Sequence, residues 1–289
     1  MTVANWLSII ANMTQSPYFQ ASSTKFLQRS EGRISYEVTG EGPLLVLVPG
    51  MGDLRSSYRF LSPVLVAAGY RVASTDLRGH GESDTTFSSY GDAETADDIG
   101  ALIGELGGPA VIIGNSMGAG AAVLVATDHP ELIKGLVLLG PWVRNGANGA
   151  FKRALLRVMM NRRWASAMWK AYLPKLYAGR RSNDFDEYRD RVIKNLRRPG
   201  YAKAFSLTTR TDHSLPEARL KSLRVSTLVV MGELDIDWAD PFAEAKWIGG
   251  TVRGEVLMVP GAGHYPQSQQ PDIVSGAVLA FVAKLGLDA

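Results

Sequence analysis

The chain of 289 residues contains no cysteine, which excludes disulfide bonds, thiol catalysis and zinc sites built on thiolates. It also has no apolar run near the length of about 18 residues at which a helix can span a bilayer. An excess of charge of one sign is lacking, because 31 Lys and Arg face 28 Asp and Glu. The resulting net charge of +3 is too small to indicate a nucleic-acid-binding protein. A secretory signal requires a basic leader, but no basic residue precedes Lys25. We therefore expect a cytoplasmic protein.

The composition that remains is that of an ordinary globular protein, with 46% hydrophobic residues and enough chain for one large domain. Short apolar runs alternate with helical patterns, which fall at about 56–68, 93–106, 117–129, 241–248 and 272–285. The predicted strands are Ile34–Val38, Leu44–Val48, Val72–Ser74, Val111–Ile113, Leu136–Leu139, Thr227–Met231 and Glu255–Val259. Apolar runs with little polar alternation are typical of strands buried on both faces. The pattern therefore predicts an α/β fold with a mostly parallel central sheet flanked by helices.

One stretch breaks this alternation. Between Pro141 and His213 the sequence is helical, aromatic and basic, with 17 Lys and Arg against 5 Asp and Glu. The rest of the chain has 14 basic and 23 acidic residues, so the small net charge conceals two oppositely charged parts. We therefore predict an α/β core made of residues 25–140 and 214–289, with residues 141–213 inserted as a helical module.

Residues 1–24 are predicted to form an N-terminal extension, because they are rich in Ser, Thr, Gln and Asn. A short helix there would carry Trp6, Leu7, Ile9 and Ile10 on one surface. We expect this surface to pack onto the protein's own body rather than into a membrane.

The strongest chemical motif is Gly114-Asn-Ser116-Met-Gly118, which follows a predicted strand and opens a helix of small residues. Gly-x-Ser-x-Gly in that context predicts a nucleophile elbow, a sharp turn that exposes the serine hydroxyl at the end of the strand. Glycine at both flanking positions lets strand and helix approach each other. The pattern therefore makes Ser116 the candidate nucleophile, although Gly and Ser are also common in ordinary turns.

A serine hydroxyl needs a base, and the chain offers only His80, His129, His213 and His264. Folds with a nucleophile elbow use the order serine, acid, histidine along the chain. His264 alone follows the late carboxylates, and it lies in a Gly-rich loop directly after the last predicted strand. We predict His264 as the base, His129 as a helix-terminal residue and His80 as a structural one.

The acid that orients the base is expected after the penultimate strand, where Gly232-Glu-Leu-Asp235-Ile-Asp237 follows an apolar run. Asp235 is the preferred candidate, because a tight turn three residues after the strand can point it back at His264. Asp237 stays open as a rival. Asp240 precedes Pro241 and is better explained as a helix N-cap.

An oxyanion hole needs two backbone N–H groups. One is predicted from Met117, directly after the nucleophile, and the other from Met51 in the Gly-rich loop after Leu44–Val48. An ordinary Gly-rich turn is the alternative for this loop.

These motifs resemble the α/β-hydrolase superfamily over roughly residues 25–286. The resemblance rests on the elbow around Ser116, on Gly232-Glu-Leu-Asp235, on Gly261-Ala-Gly-His264, and on Asp76-Leu-Arg-Gly-His-Gly-Glu-Ser83. It implies a helical cap inserted between the two halves of the sheet, which matches residues 141–213. One departure is Pro49-Gly50 where many relatives have His-Gly, which implies a different anchoring of the oxyanion loop.

The basic stretch carries aromatic and Met side chains that would line an apolar pocket, with Trp164, Met168 and Trp169 as the candidate substrate-binding residues. The alternative is that these side chains pack the cap onto the body. Its basic face has three interpretations: a solvated face attracted to the acidic body, a weak contact with an anionic membrane or lipid surface, or steering of an anionic substrate.

The function predicted from these residues is a serine hydrolase that cleaves small carboxylic esters or lactones through an acyl-enzyme, without metal, cofactor or nucleic acid. Other chemistries of the same superfamily stay open, namely carbon–carbon bond hydrolysis, peroxyacid formation and amide cleavage. A serine at the elbow argues against the dehalogenase and epoxide hydrolase branches, which resemble this fold but use aspartate there. A ligand-sensing protein that keeps the triad but turns over slowly is the non-catalytic alternative. The sequence does not indicate an oligomeric state.

Overall fold

A single eight-stranded sheet organises the molecule, and the computed structural model describes residues 23–146, 154–155 and 157–287. The strands lie in the order β1-β2-β4-β3-β5-β6-β7-β8. The strand β2 pairs antiparallel with β1 and β4, and every other pair is parallel, which confirms the predicted α/β class. The bounds are β1 Lys25–Gln28, β2 Arg33–Thr39, β3 Leu44–Val48, β4 Arg71–Thr75, β5 Ala110–Asn115, β6 Ile133–Leu139, β7 Thr227–Gly232 and β8 Glu255–Val259.

The central strands separate two hydrophobic cores, one on each face of the sheet. All five residues of β3 are buried, with Val46 and Val48 on one face and Leu45 and Leu47 on the other. Successive side chains of a strand point to opposite faces, so a continuous apolar run serves both cores. The edge strand β1 was not predicted, because only Leu27 of its four residues is buried.

Helices cover both faces of the sheet. Those on the face of Val46 are α2 Asp92–Glu105, α3 Met117–Asp128 and α8 Pro241–Val252. The opposite face packs α1 Leu61–Ala67 and α10 Pro271–Lys284, and the short α9 Pro266–Gln269 precedes α10. The pattern predicted at 56–68 is divided into a 3₁₀ turn, Arg55–Tyr58, and α1. None of the helices within the described residues is long and apolar enough to cross a bilayer.

Helices occupy the described part of the chain between β6 and β7, which we call the β6–β7 segment (residues 140–226). Its longer helices are α4 Ala165–Leu176, α5 Phe185–Leu196 and α6 Tyr201–Thr208, followed by the short α7 Ser214–Arg219. The predicted module 141–213 falls within this segment, except that 147–153 and 156 lie outside the described residues. The predicted extension 1–24, with Trp6, Leu7, Ile9 and Ile10, also lies outside them apart from its last two residues. The domain boundaries stay a prediction.

The β6–β7 segment has its own aromatic core. Trp169 on α4, Tyr177 just after α4, and Phe185 and Tyr188 on α5 are buried there. Leu54 belongs to the same cluster, although it lies outside the segment, just before the 3₁₀ turn that follows β3. The segment therefore lies against the loops at the carboxyl ends of the strands, where sites of open α/β sheets form.

Candidate active site

Ser116 lies on a strained turn between β5 and α3. Its φ of +55° and ψ of −120° are values that a non-glycine residue rarely adopts. Such a conformation costs about 1–3 kcal/mol and persists only where the surroundings enforce it. A Cβ on Gly114 would lie 2.4 Å from the Gly118 carbonyl oxygen, and one on Gly118 would lie 2.6 Å from the Val48 oxygen. Gly114 therefore lets β5 and α3 approach each other, and Gly118 lets α3 approach the end of β3.

His264 and Asp235 form a buried hydrogen-bonded pair. The Nδ1 atom of His264 is 2.8 Å from Oδ2 of Asp235, and the two residues are 2% and 1% exposed. His264 lies in the loop after β8, and its own backbone N–H donates to the Leu176 carbonyl at the end of α4. A neutral imidazole that donates from Nδ1 presents Nε2 as a proton acceptor. The pair therefore has the form of a general base with an orienting carboxylate.

Asn115 connects this pair to the nucleophile turn. Its amide Nδ2 donates to the carbonyl of His264 at 3.1 Å and to the carbonyl of Leu139 at 2.9 Å. The N–H of Ser116 donates to the same Leu139 carbonyl at 3.0 Å. Ser116 and His264 are thus held on adjacent loops by one amide side chain. The sequence did not single out Asn115, because its acceptors come together only when β5, β6 and β8 have assembled.

Gly140 completes the junction at the end of β6. Its φ is +46°, and a Cβ there would lie 2.7 Å from the His264 carbonyl oxygen and 3.4 Å from Oδ2 of Asp235. The chain turns directly beneath the acid–base pair because this residue has no side chain. The structure therefore brings the predicted Ser116, Asp235 and His264 together at the carboxyl edge of the sheet.

The two rival carboxylates differ in placement. Asp237 lies beside the pair, with Oδ2 3.4 Å from Nδ1 of His264. Asp240 instead caps α8, where its Oδ1 accepts a hydrogen bond from the N–H of Ala243 at 2.9 Å. Asp240 is thus the N-cap that the sequence indicated, whereas Asp237 belongs to the site.

Electrostatics in the site favour a charged imidazole. Burial disfavours the charged form of His264, but the carboxylates of Asp235 and Asp237 outweigh it and raise the pKa of His264 to about 9. Burial raises the pKa of Asp237, and the nearby Asp235 carboxylate adds to this effect. Burial also raises the pKa of Asp53 to about 6, although the Tyr188 hydroxyl and the Leu54 N–H donate to its carboxylate. Three aspartates therefore act on the imidazole of His264 within one buried region.

The predicted oxyanion loop lies directly against the nucleophile. A Cβ on Gly50 would be 2.8 Å from the Cβ of Ser116, so the loop backbone passes over the serine. Met117 is the first residue of α3, and N–H groups of a first helical turn have no acceptor within the helix. The assignment of the Met51 and Met117 N–H groups as oxyanion donors stays a prediction that this placement permits.

His80 anchors the oxyanion loop. Its Nε2 accepts a hydrogen bond from the Gly52 N–H at 2.9 Å, and its Nδ1 is 3.0 Å from the Arg78 carbonyl oxygen. Burial lowers the pKa of His80, which keeps the ring neutral and its Nε2 an acceptor. This contact shows how a loop with proline in place of the usual histidine is held, and it fits the structural role predicted for His80.

The three predicted substrate-binding residues lie in different surroundings. Trp169 is buried, packs against Phe205 with ring centroids 5.1 Å apart, and donates its indole N–H to the Gly52 carbonyl at 2.8 Å. Met168 is half-buried at the edge of the same cluster. Trp164 is 44% exposed, and its indole N–H donates to the Val158 carbonyl. Trp169 thus touches the oxyanion loop, and substrate contact by all three stays a prediction.

One group among the described residues offers metal-ligand atoms within 4.8 Å of one another, namely Asp235, Asp237 and His264. Nδ1 of His264 is already engaged by Asp235 in this group. We therefore interpret these residues as an acid–base cluster.

A surface cavity of about 590 Å³ lies apart from this chemistry. It opens between the 3₁₀ turn and α5, where Arg55 and Arg59 face Lys194 and Arg198. Neither Ser116 nor His264 lines it, so the cavity is not the space in which the nucleophile acts.

Comparisons with known proteins agree with the fold. Residues 45–277 match the model of the alpha/beta hydrolase family. The chain is 28% identical to 2-(acetamidomethylene)succinate hydrolase of Mesorhizobium japonicum, over 87% of this chain and 92% of that protein. It is 24% identical to proline iminopeptidase PfmaB of Pestalotiopsis fici, over 90% of this chain and 99% of the relative. An esterase from Exiguobacterium antarcticum has a similar structure, with a TM-score of 0.79 and 19% identity over 90% of this chain and 100% of the esterase.

The chain therefore belongs to the alpha/beta hydrolase family, as the motifs around Ser116 and His264 predicted. Its chemistry is that of a hydrolase.

Proposed function

We propose that the protein is a serine hydrolase that cleaves carboxylic esters or lactones with Ser116, His264 and Asp235 as its catalytic triad. The observation that carries the proposal is the buried His264–Asp235 pair, fixed by Asn115 beside the strained turn of Ser116. A hydroxyl held at such a turn next to an oriented imidazole is the arrangement that acyl transfer requires.

In the acylation step Ser116 Oγ attacks the carbonyl carbon of the substrate, and Nε2 of His264 takes the hydroxyl proton. The carbonyl electron pair moves onto the oxygen, which the N–H groups of Met51 and Met117 would stabilise. The carbon–oxygen bond to the alcohol then breaks, and the imidazolium returns its proton to the departing oxygen. Asp235 stabilises the charged imidazole throughout.

Deacylation repeats these steps with water as the nucleophile. His264 takes a proton from the water as its oxygen attacks the acyl carbon, and the bond to Ser116 Oγ breaks. The serine oxygen recovers the proton from the imidazolium, and the acid is released. No other reactant is needed.

The β6–β7 segment is proposed to act as a cap over this chemistry. Trp169 joins α4 to the carbonyl of Gly52 in the oxyanion loop, and the N–H of His264 is bonded to the end of the same helix. Aromatic residues on that side favour an apolar acyl or alcohol group as the substrate.

A covalent probe tests the proposal without a guess at the substrate. The purified protein is treated with a fluorophosphonate, digested, and analysed by mass spectrometry, with Ser116→Ala as the control. We expect labelling confined to Ser116 and absent from the variant. A folded parent protein that is not labelled at any pH would refute an activated nucleophile and favour a ligand-sensing protein.

Amide cleavage is the second candidate, because one relative is a proline iminopeptidase and the same three residues serve both reactions. A panel of matched p-nitrophenyl esters, lactones and p-nitroanilides separates the two. We expect kcat/KM to be highest for the esters or lactones. Faster turnover of the anilides would replace the ester assignment with amide hydrolysis.

A further inference from the structure

Two carboxylates, rather than one, face Nδ1 of His264. Asp235 Oδ2 lies 2.8 Å from this nitrogen, and Asp237 Oδ2 lies 3.4 Å from it. The first distance is that of a hydrogen bond, and the second is close enough for a strong charge interaction in a buried site. A triad needs only the first of these carboxylates, so the second calls for an explanation.

The position of Asp237 is fixed from two sides. Its backbone N–H donates to Oδ1 of Asp235 at 3.1 Å, so the turn after β7 holds both carboxylates in a set geometry. From α4, the hydroxyl of Tyr172 donates to Oδ1 of Asp237 at 3.1 Å. The side chain of Asp237 is 11% exposed, which leaves little water to screen its charge. Asp237 is thus a built part of the site rather than a solvated loop residue.

We propose that Asp237 is a positioning residue that acts through His264 by sharing the orientation of Nδ1–H with Asp235, and that Tyr172 holds it there. This inference rests on the proposed function, since it assigns His264 as the base. It gives the acid function to a pair of carboxylates, one of which is tied to a helix of the β6–β7 segment.

The charges around His264 support this assignment. Asp235 and Asp237 approach from the loop after β7, and Asp53 acts from the oxyanion loop. The neutral hydroxyls of Tyr172 and Tyr265 lie on α4 and on the loop of His264 itself, and burial raises the pKa of both phenols. Removing the charge of Asp237 therefore leaves two carboxylates near the imidazole and lowers the pKa of His264.

The same geometry predicts that Asp237 can partly replace Asp235. If Asp235 loses its charge, Asp237 stays near Nδ1 and continues to favour the tautomer with its proton on that nitrogen. Replacement of Asp235 alone is then less damaging than in a triad with a single carboxylate, where asparagine costs about 10⁴-fold in kcat.

The first experiment measures the rate of fluorophosphonate labelling of Ser116 against pH in the parent, Asp237→Asn, Tyr172→Phe and Asp240→Asn. Asp240→Asn is the matched control. It neutralises an aspartate of the same loop, but that aspartate caps α8 and does not face His264. We expect the midpoint of Asp237→Asn to fall by about one pH unit or more, as for loss of a neighbouring charge. Tyr172→Phe should shift it less, and Asp240→Asn should leave it unchanged.

A midpoint in Asp237→Asn that coincides with that of the parent overturns the inference. Proton NMR of ¹⁵N-histidine-labelled protein follows the titration of His264 directly and does not depend on labelling. If the parent is never labelled but its His264 titration shifts in Asp237→Asn, the proposed function fails while the electrostatic role of Asp237 stands. If the parent is labelled but the His264 titration does not shift in Asp237→Asn, the proposed function stands and the role of Asp237 fails.

The second experiment compares Asp235→Asn with the double variant Asp235→Asn/Asp237→Asn, each checked for folding by a thermal melt. We expect the single variant to be labelled at least about tenfold faster than the double variant, because its remaining carboxylate still orients His264. Equal rates in the two folded variants would show that Asp237 gives Asp235 no reserve.

Discussion

The α/β core and the β6–β7 segment are held in different ways. In the core, β3 and β5 bury every side chain between two layers of helices. The segment meets the core through apolar packing around Leu54, through ion pairs such as Arg59–Asp184, and through single hydrogen bonds to loop backbone. Two of these are Trp169 to the Gly52 carbonyl and Tyr201 to the Ser83 carbonyl.

This difference separates stability from catalysis. A buried aliphatic side chain contributes about 1.5–3 kcal/mol, whereas a hydrogen bond contributes about 0.5–1.5 kcal/mol. Changes within the core should therefore act first on the free energy of unfolding. Changes at the contacts between segment and core should act first on the geometry of the oxyanion loop.

The largest expected effect on catalysis without an effect on stability is at Ser116. Ser116→Ala removes one oxygen atom from a residue in a strained conformation and leaves the surrounding contacts intact. We expect kcat/KM to fall by at least about 10³-fold while the melting temperature changes little. Activity measured on an ester substrate, together with a thermal melt, checks this. A variant that keeps full activity would refute the nucleophile.

The pH should affect catalytic activity and folding stability in opposite directions. His264 must be neutral to accept the serine proton, and its pKa is raised to about 9. We expect kcat/KM to rise about tenfold per pH unit well below that value, and by about 50-fold between pH 7 and 9. A raised pKa stabilises the folded state below the ordinary value for histidine, and this contribution is lost as the pH rises through about 9. Activity should therefore increase while stability decreases, and a profile that levels off near pH 7 would contradict the prediction.

A steric change at Gly118 tests the packing where the nucleophile turn meets the core. A Cβ on Gly118 would lie 2.6 Å from the Val48 oxygen and 2.7 Å from the Pro49 oxygen. We expect Gly118→Ala to lose about 1–3 kcal/mol in the free energy of unfolding, because backbone atoms cannot move aside cheaply. Urea denaturation measures this loss.

Gly276→Ala is the control for that experiment. Gly276 lies within α10 and has open space where a Cβ would be. Alanine should stabilise that helix by about 0.5–1 kcal/mol. Equal stabilities of the two variants would show that the turn at Ser116 is less tightly packed than its geometry implies.

The sequence predicted the core well because the signals there are local. Seven of the eight strands and the helices around them follow from apolar runs and periodicity, and the elbow motif identifies Ser116 within the chain. The family order of residues led to His264 and Asp235. Asn115, Gly140 and Tyr172 could not be assigned, because their roles depend on atoms 24 to 149 residues away. Asp237 was open as a rival to Asp235, and only the assembled loop shows that both carboxylates face His264.

The smallest expected effect tests the contact between the β6–β7 segment and the core. Trp169→Phe keeps an aromatic ring but removes the hydrogen bond from the indole to the Gly52 carbonyl. Loss of one such bond costs about 1 kcal/mol, which corresponds to about fivefold in kcat/KM if the bond positions the oxyanion loop. Trp164→Phe is the matched control, because that indole bonds the Val158 carbonyl within its own segment. If both variants lose activity equally, or if Trp169→Phe lowers only the melting temperature, the segment supports the fold and does not position the loop.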